Sequence, residues 1–303
     1  MKEHFILIRY GELALKKKET RRRFESALKK NITQAFRDHD LDCFLETTWG
    51  RIFVHTSNVS KGIDILKHVF GIISVSPVVL SSSILEDLSD DLLSYLKGKL
   101  DMDQSFALRI TRTGGHEYTS QDAAFYLGDK VRTNFLSSVD LTNPDVEVFI
   151  EIRDKKAYIF LEKFPGPGGM PLGTQGKICS IVQSTDDVLA AWYLLRRGCS
   201  MVFYLADKTV ESSLNHLFSV WNVHSQVFYS GINDDLVECL DEVMRSHHCE
   251  ALCIGISFSK TNDEVIGKIK MIKKKIHQPI LTPLIAMSYE KIMEMKRQLE
   301  LEV

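Results

Sequence analysis

Nowhere among the 303 residues is there an unbroken apolar run of about 18, the length a membrane-spanning helix needs. The opening MKEHFILIRYGE has only a short apolar patch, followed by Arg9 and Glu12, with no small-residue cleavage site. A secretory signal is therefore not expected, and the reading is cytoplasmic with no membrane partner. Cysteine is scarce: Cys43, Cys179, Cys199, Cys239, Cys249 and Cys253 are scattered, several inside apolar runs, and form no Cys-x-x-Cys pair. No disulfide framework is indicated, and the pattern favours buried reduced thiols. Net charge is nearly absent, at a formal −2, so a nucleic-acid footprint has to be local. No repeat of solenoid length occurs. What remains is ordinary globular composition, 44% hydrophobic and 26% charged, over a length that suits two or three domains.

The N-terminal half alternates strand and helix. Residues 5–9 read as a buried strand. Residues 19–37 read as a helix, with Phe24, Leu28, Ile32 and Phe36 at helical spacing and Thr20 as a cap. A strand at 51–55, a helix at 61–70 and an extended run at 72–79 follow, with room for a strand near Phe44. Further helices are predicted over 85–100 and 123–136, and a strand over 106–110. Val146, Val148, Ile150 and Ile152 alternate with polar or bulky neighbours, and Asp154-Lys155-Lys156 turns the chain into 157–161, a hairpin signal.

Residues 164–176, FPGPGGMPLGTQG, mark the clearest boundary and by composition read as a hinge. Beyond it, strands at 178–182, 201–205, 226–229, 251–257 and 279–284 alternate with helices at 187–197, 208–222, 234–248, 262–276 and 288–300. That rhythm predicts a doubly wound parallel α/β sheet.

Four constellations bear on chemistry. Lys16, Lys17, Lys18, Arg21, Arg22, Arg23, Lys29 and Lys30 form a basic segment that could bind phosphates, weighed against a solvated helix face with Glu19 and Glu25 as partners. The Gly-Pro segment runs through Pro171, Gly173-Thr174 and Gly176-Lys177 straight into a strand. The loop Val182, Gln183, Ser184, Thr185, Asp186 and Asp187 sits where a doubly wound sheet binds phosphate. It has no glycine, and its two acids suit a helix N-terminus better than a polyphosphate. His247, His248, Cys249 and Cys253 have zinc-ligand chemistry, but Cys253 falls in an apolar strand and no second pair has ligand spacing, so no metal site is assigned.

RYGELALKKKETRRRFESALKKNI (9–32), FALRITR (106–112), the Thr119-Ser120 helix start, VDLTNPDVEVFIEIRDKKAYIFLEK (139–163) and GPGGMPLGTQGK (166–177) resemble the tRNA 4-thiouridine sulfurtransferases, a family that also appears in thiamine biosynthesis. Ala190-Ala191, Arg197-Gly198 and Thr282-Pro283-Leu284-Ile285 extend the resemblance over essentially the whole chain. It implies a ferredoxin-like domain (1–79), a THUMP RNA-binding domain (80–165), the Gly/Pro linker (166–177) and an adenine-nucleotide domain of the PP-loop type (178–303). It also implies a reaction in which ATP and Mg²⁺ adenylate a uridine and a cysteine persulfide supplies sulfur.

Departures qualify this. The family's Ser-Gly-Gly-x-Asp-Ser loop matches residues 182–187 only at Asp186. Its Gly-Glu-Ser-Leu-Gly-Gln segment reads Gly255-Ile256-Ser257-Phe258-Ser259-Lys260 here, and the sulfur-carrying cysteine has only Cys239 as a positional match. The expectation is a tRNA-binding protein with a degenerate nucleotide loop and no ATP or Mg²⁺ cofactor. Lys16, Lys17, Lys18, Arg21, Arg22, Arg23, Arg109, Arg112, Arg153 and Lys163 are its expected RNA contacts. The alternatives are a divergent active sulfurtransferase, with Asp186 and Asp187 on Mg²⁺ and Cys239 carrying sulfur, or a non-catalytic subunit. A separate catalytic or sulfur-donor protein and a homodimer stay open as partners.

Overall fold

Short apolar strands separated by tight turns give the first half of the chain a long sheet. The protein is described here by a computed structural model that covers residues 5–11, 18–231, 235–258 and 263–301. The chain divides into two compact units. Unit 1 comprises Met1–Arg9, Leu41–Asp64 and Ser74–Pro165; unit 2 comprises Tyr10–Asp40, Ile65–Ile73 and Gly166–Val303.

In chain order the first elements are β1 (Phe5–Tyr10), α1 (Lys18–Asp38), β2 (Cys43–Thr48), β3 (Arg51–Thr56), α2 (Val59–Leu66), β4 (Ile72–Ser82) and α3 (Leu85–Leu96). They are followed by β5 (Ser105–Thr113), α4 (Ser120–Phe135), β6 (Ser138–Val139), β7 (Val146–Arg153), β8 (Lys156–Phe160) and β9 (Phe164–Pro165). Among the described residues these strands form one nine-stranded sheet in the order β2-β3-β1-β4-β8-β7-β5-β6, with β9 on β4.

Strand alternation sorts the side chains of unit 1. Val148, Ile150 and Ile152 of β7 and Ile159 of β8 meet Leu88 and Leu92 of α3 and Leu127 and Val131 of α4 in one core. A reciprocal box holds the start of α4: Thr119 accepts from the Asp122 amide, and Asp122 accepts from the Thr119 amide. The opposite face carries Phe5, Leu7, Phe53, Tyr158 and Phe160. Phe53 stacks on Tyr158 with ring centroids 4.6 Å apart. In a flat sheet β3 and β7 would lie about 19 Å apart, four strand spacings. Yet Arg51 of β3 donates to Glu151 of β7 at 3.0 Å, and Lys156 of β8 reaches Glu46 of β2 at 3.2 Å. The sheet is therefore strongly curled about its aromatic face.

Unit 2 holds α1 and the second sheet. Its elements are β10 (Lys177–Val182), α5 (Thr185–Arg196), β11 (Ser200–Leu205), a 3-10 turn (Lys208–Val210), α6 (Glu211–Trp221), β12 (Val227–Tyr229) and α7 (Leu236–Ser246). Then come β13 (Ala251–Cys253), α8 (Asp263–Lys275), β14 (Ile280–Leu281) and α9 (Tyr289–Gln298). All pairings are parallel, in the order β12-β11-β10-β13-β14. Odd and even positions of β10 and β11 face opposite layers. Ile178, Val182 and Phe203 pack with α5, α6 and α9; Cys179, Ile181 and Tyr204 pack with α7 and α8. This is the predicted doubly wound fold.

The Gly-Pro segment is firmly held within unit 2 and does not behave as the hinge its composition suggests. Gly166 and Gly168 donate to the carbonyls of Ile73 and Ile72, each at 2.8 Å. Met170 donates to Arg196, and Thr174 and Gln175 both donate to Gly198. Gly169 sits at φ 76°, and a Cβ there would lie 2.0 Å from the Arg196 carbonyl oxygen. Glycine is needed here for close approach rather than for freedom.

Candidate functional site

The order β12-β11-β10-β13-β14 reverses direction between β10 and β13, so a crevice opens beyond the carboxyl ends of those two strands. A cleft of about 830 Å³ lies there, lined by Gln183, Ser184, Asp187, Gly255, Ile256 and Leu236 among others. Most of its wall is apolar, with Ile181, Ile254, Val265 and Ile269 contributing.

The loop after β10 is organised by its own acids. Oδ2 of Asp187 accepts from the amides of Gln183 (3.0 Å) and Ser184 (2.9 Å) and from the Ser184 hydroxyl (2.9 Å). Its Oδ1 accepts from the amide of Gly255, just beyond β13, at 2.7 Å. Burial raises the Asp187 carboxyl, and these donors only partly reverse the shift. Gly255 has to be glycine: a Cβ would lie 2.4 Å from the carbonyl carbon of Asp186. Asp186 points elsewhere, into a buried ion pair with Lys296 of α9, whose ammonium also donates to the Thr185 hydroxyl at 2.7 Å. Both acids are thus committed to protein partners. Lys296 did not stand out in the sequence, and Gly255 did so only as part of the segment 255–260, because each lies some 70 to 110 residues from its partner.

Three other charged groups of the cleft, Asp235, Glu238 and Lys275, have partners. Asp235 caps α7 by accepting from Val237 and Glu238. Glu238 pairs with Lys275 at 2.6 Å. Lys273, two residues earlier on α8 and outside the cleft lining, donates to the carbonyls of His277 and Gln278. Cys239 is half-buried on α7 among residues packed against the apolar layer of Leu240 and Met244. Cys179 and Cys253 are fully buried: burial together with the neighbouring Cys249 pushes the Cys179 thiol up to about 12, and burial raises Cys253 also. Such thiols are poor nucleophiles. Cys249 is buried too, at the end of α7 beside His247 and His248.

The expected cationic contacts fall into both units. Lys16 and Lys17 lie outside the described residues, and Lys18 opens α1. Arg21 stands 3.9 Å from Glu25, Arg22 is exposed, and Arg23 donates to the Thr174 carbonyl at 3.3 Å. In unit 1, Arg109 pairs with Glu147 at 2.7 Å, and Arg112 donates to the Gly114 carbonyl at 3.3 Å. Arg153 donates to the Trp49 carbonyl and stands 3.7 Å from Glu151. Lys163 places its ammonium 3.4 Å from the Phe149 ring centroid. Sequence reasoning missed Arg9 and Arg51, which share Glu151 with Arg153. Lone arginines in strands carry no signal of such a meeting.

Three family models match the chain: the ThiI ferredoxin-like domain over residues 5–76, the THUMP domain over 83–162 and Thiamine biosynthesis protein (ThiI) over 232–302. A "Probable tRNA sulfurtransferase" from Methanobrevibacter smithii is 30% identical over 319 residues, spanning 93% of this chain and 82% of that protein. The chain belongs to the tRNA sulfurtransferase family. A relative of the same description from Methanothermobacter thermautotrophicus is 39% identical over 203 residues, which cover 65% of this chain and 51% of the relative. The crystal structure of PH1313 from Pyrococcus horikoshii superposes on this family member with a TM-score of 0.84 at 27% identity, covering 98% of this chain and 99% of that one. A 4-thiouridine synthetase–RNA complex with bound ATP gives a TM-score of 0.78 at 21% identity over 99% of this chain and 86% of that one, which supports the fold of the whole family member.

Proposed function

We propose that this member of the family binds tRNA and does not itself carry out ATP-dependent adenylation. The RNA half of the reading is supported by the THUMP match over 83–162 and by family membership. Its binding is salt-sensitive and on the order of micromolar at physiological salt, as expected where phosphate contacts dominate.

One observation carries the other half. The amides of Gln183, Ser184 and Gly255, which face the crevice of the doubly wound sheet, already surround the Asp187 carboxylate. A polyphosphate would meet an acidic side chain where it needs donors, and losing such donors costs an adenylyl-transfer site about 10²–10³ in rate each. The residues present therefore do not fit ATP. Nor do they suit the reading in which Asp186 and Asp187 hold Mg²⁺: Asp186 is paired with Lys296, and Asp187 accepts from three amides and a hydroxyl.

The test is a calorimetric titration of the protein with Mg-ATP in the presence of saturating tRNA. The expected result is tRNA binding in the same sample and no saturable heat from nucleotide. Saturable heat would return the protein to the active sulfurtransferases.

A further inference from the structure

The cleft beyond β10 and β13 has the place and the size of a small-molecule site, but not the chemistry of a phosphate site. Its volume of about 830 Å³ falls within the range of about 300–1,000 Å³ that ligand pockets occupy. Three layers of the unit wall it. Ile181 of β10 and Ile254, just past β13, form the sheet side. Leu236 and Val237 come from the first turn of α7, and Ile269 and Ile272 from α8. Leu236, Val237, Ile254 and Ile269 are only half-buried. An occupant that covered them would take apolar surface out of water.

The polar part of the lining selects against charge. The amides of Gln183, Ser184 and Gly255 are spent on Asp187, so an anion finds no donor there. Asp186 is matched by Lys296. Among the described residues of the more exposed lining, Lys274 and Lys275 stand against Asp235 and Glu238, two charges of each sign. Asp187 is the acid left over, and burial raises its carboxyl toward the neutral form. A charged ligand of either sign would thus lose its hydration without meeting an unmatched opposite charge. Gln183, exposed in the lining, adds a neutral carboxamide that can both donate and accept. We propose that the cleft binds an uncharged, mostly apolar small molecule, held by its hydrophobic body and oriented by a neutral hydrogen bond. This names the ligand class of the crevice and rests on the reading that the crevice does not take ATP.

The test titrates the full chain with N-phenyl-1-naphthylamine, an uncharged dye whose fluorescence rises in apolar surroundings. A single saturable site is expected, with no effect of added Mg-ATP. Val237→Glu on α7 and Ile269→Glu on α8 should each weaken the dye by about tenfold or more, since each sets a charge in the apolar wall. Phe125→Glu alters a separate apolar groove beside α4 in unit 1 and should bind the dye as wild type does. Hydrogen–deuterium exchange on the wild type should show slowed amides over α7 and α8 when the dye is bound. That readout needs no variant and decides the matter if a substituted chain fails to fold. Absence of saturable binding, or undiminished binding by both cleft variants, overturns the proposal and leaves the ATP reading intact. Loss of binding in Phe125→Glu alone places the dye in unit 1 and overturns it as well. Displacement of the dye by Mg-ATP overturns both, because the crevice would then accept a polyphosphate.

Discussion

Replacing Asp187 by alanine removes the group around which the β10–α5 loop is built. Its carboxylate accepts four hydrogen bonds, from Gln183 N, Ser184 N, Ser184 Oγ and Gly255 N, and the residue is 6% exposed. Hydrogen bonds to a charged group contribute about 1.5–3 kcal/mol each, and they do not add. The Ser184 hydroxyl can turn to another acceptor, and burial of the acid offsets part of the gain, so the net loss is about 3 kcal/mol. In a unit of this size 1 kcal/mol moves the melting temperature by about 2–4 °C, so the variant should melt roughly 6–12 °C lower by differential scanning calorimetry. The same reasoning predicts rescue. With the carboxylate gone, the three amides are free for an added anion, and sulfate at ten times its dissociation constant would restore about 1.4 kcal/mol. Wild type, with the position filled, should gain nothing beyond a chloride control of equal ionic strength. A variant melting within about 1 °C of wild type, or one that sulfate stabilises no more than wild type, would refute the claim that Asp187 occupies an anion position.

Two further expectations concern the buried charges. Burial raises the Glu151 carboxyl, but the charges and hydrogen bonds of Arg9 and Arg51 outweigh this and hold it below its ordinary value. Its contribution to stability is therefore present above the unfolded value of about 4.3 and lost as pH falls through the depressed folded value. Glu151→Gln should flatten that acid limb in melting curves taken against pH, and an unchanged limb would show that another acid controls it. Lys296→Met strands the buried Asp186 charge and should cost about 3–5 kcal/mol. Adding Asp186→Asn should recover part of that loss in denaturant titrations, and strict additivity of the two substitutions would mean that the pair does not interact.

Much of the fold can be read from the sequence because periodicity is local. Phe24, Leu28, Ile32 and Phe36 are all buried on α1, and the β7–β8 hairpin turns at Asp154, which adopts φ 51°. The alternating second half gives a doubly wound sheet, although its strands are shorter than their apolar runs. Residues 251–257 shrink to β13, Ala251–Cys253, because the chain leaves the sheet to carry Gly255 against Asp186 and Asp187. The two-residue strands β6 and β9 are too short to show any period. Long-range convergence is the part that stays hidden. Arg9, Arg51 and Glu151 are far apart in the chain and meet only because the sheet curls, which no local pattern encodes. The Gly-Pro segment shows the opposite failure: its composition indicates freedom, while its glycines serve close backbone approach.

Strand β4 bears on how separable the THUMP module is. The family model for that domain begins at residue 83, yet Val79, Leu80, Ser81 and Ser82 pair with Ile159, Tyr158, Ala157 and Lys156. A fragment cut at the family boundary would leave β8 with a bare edge, open to pairing with any extended chain it met. The same fragment would lose Arg9 and Arg51, the two arginines that hydrogen-bond to Glu151. In unit 1 the smallest portable piece is therefore larger than the homology unit, and a graft that ignores this would carry the sequence of the module without the strand that completes its sheet.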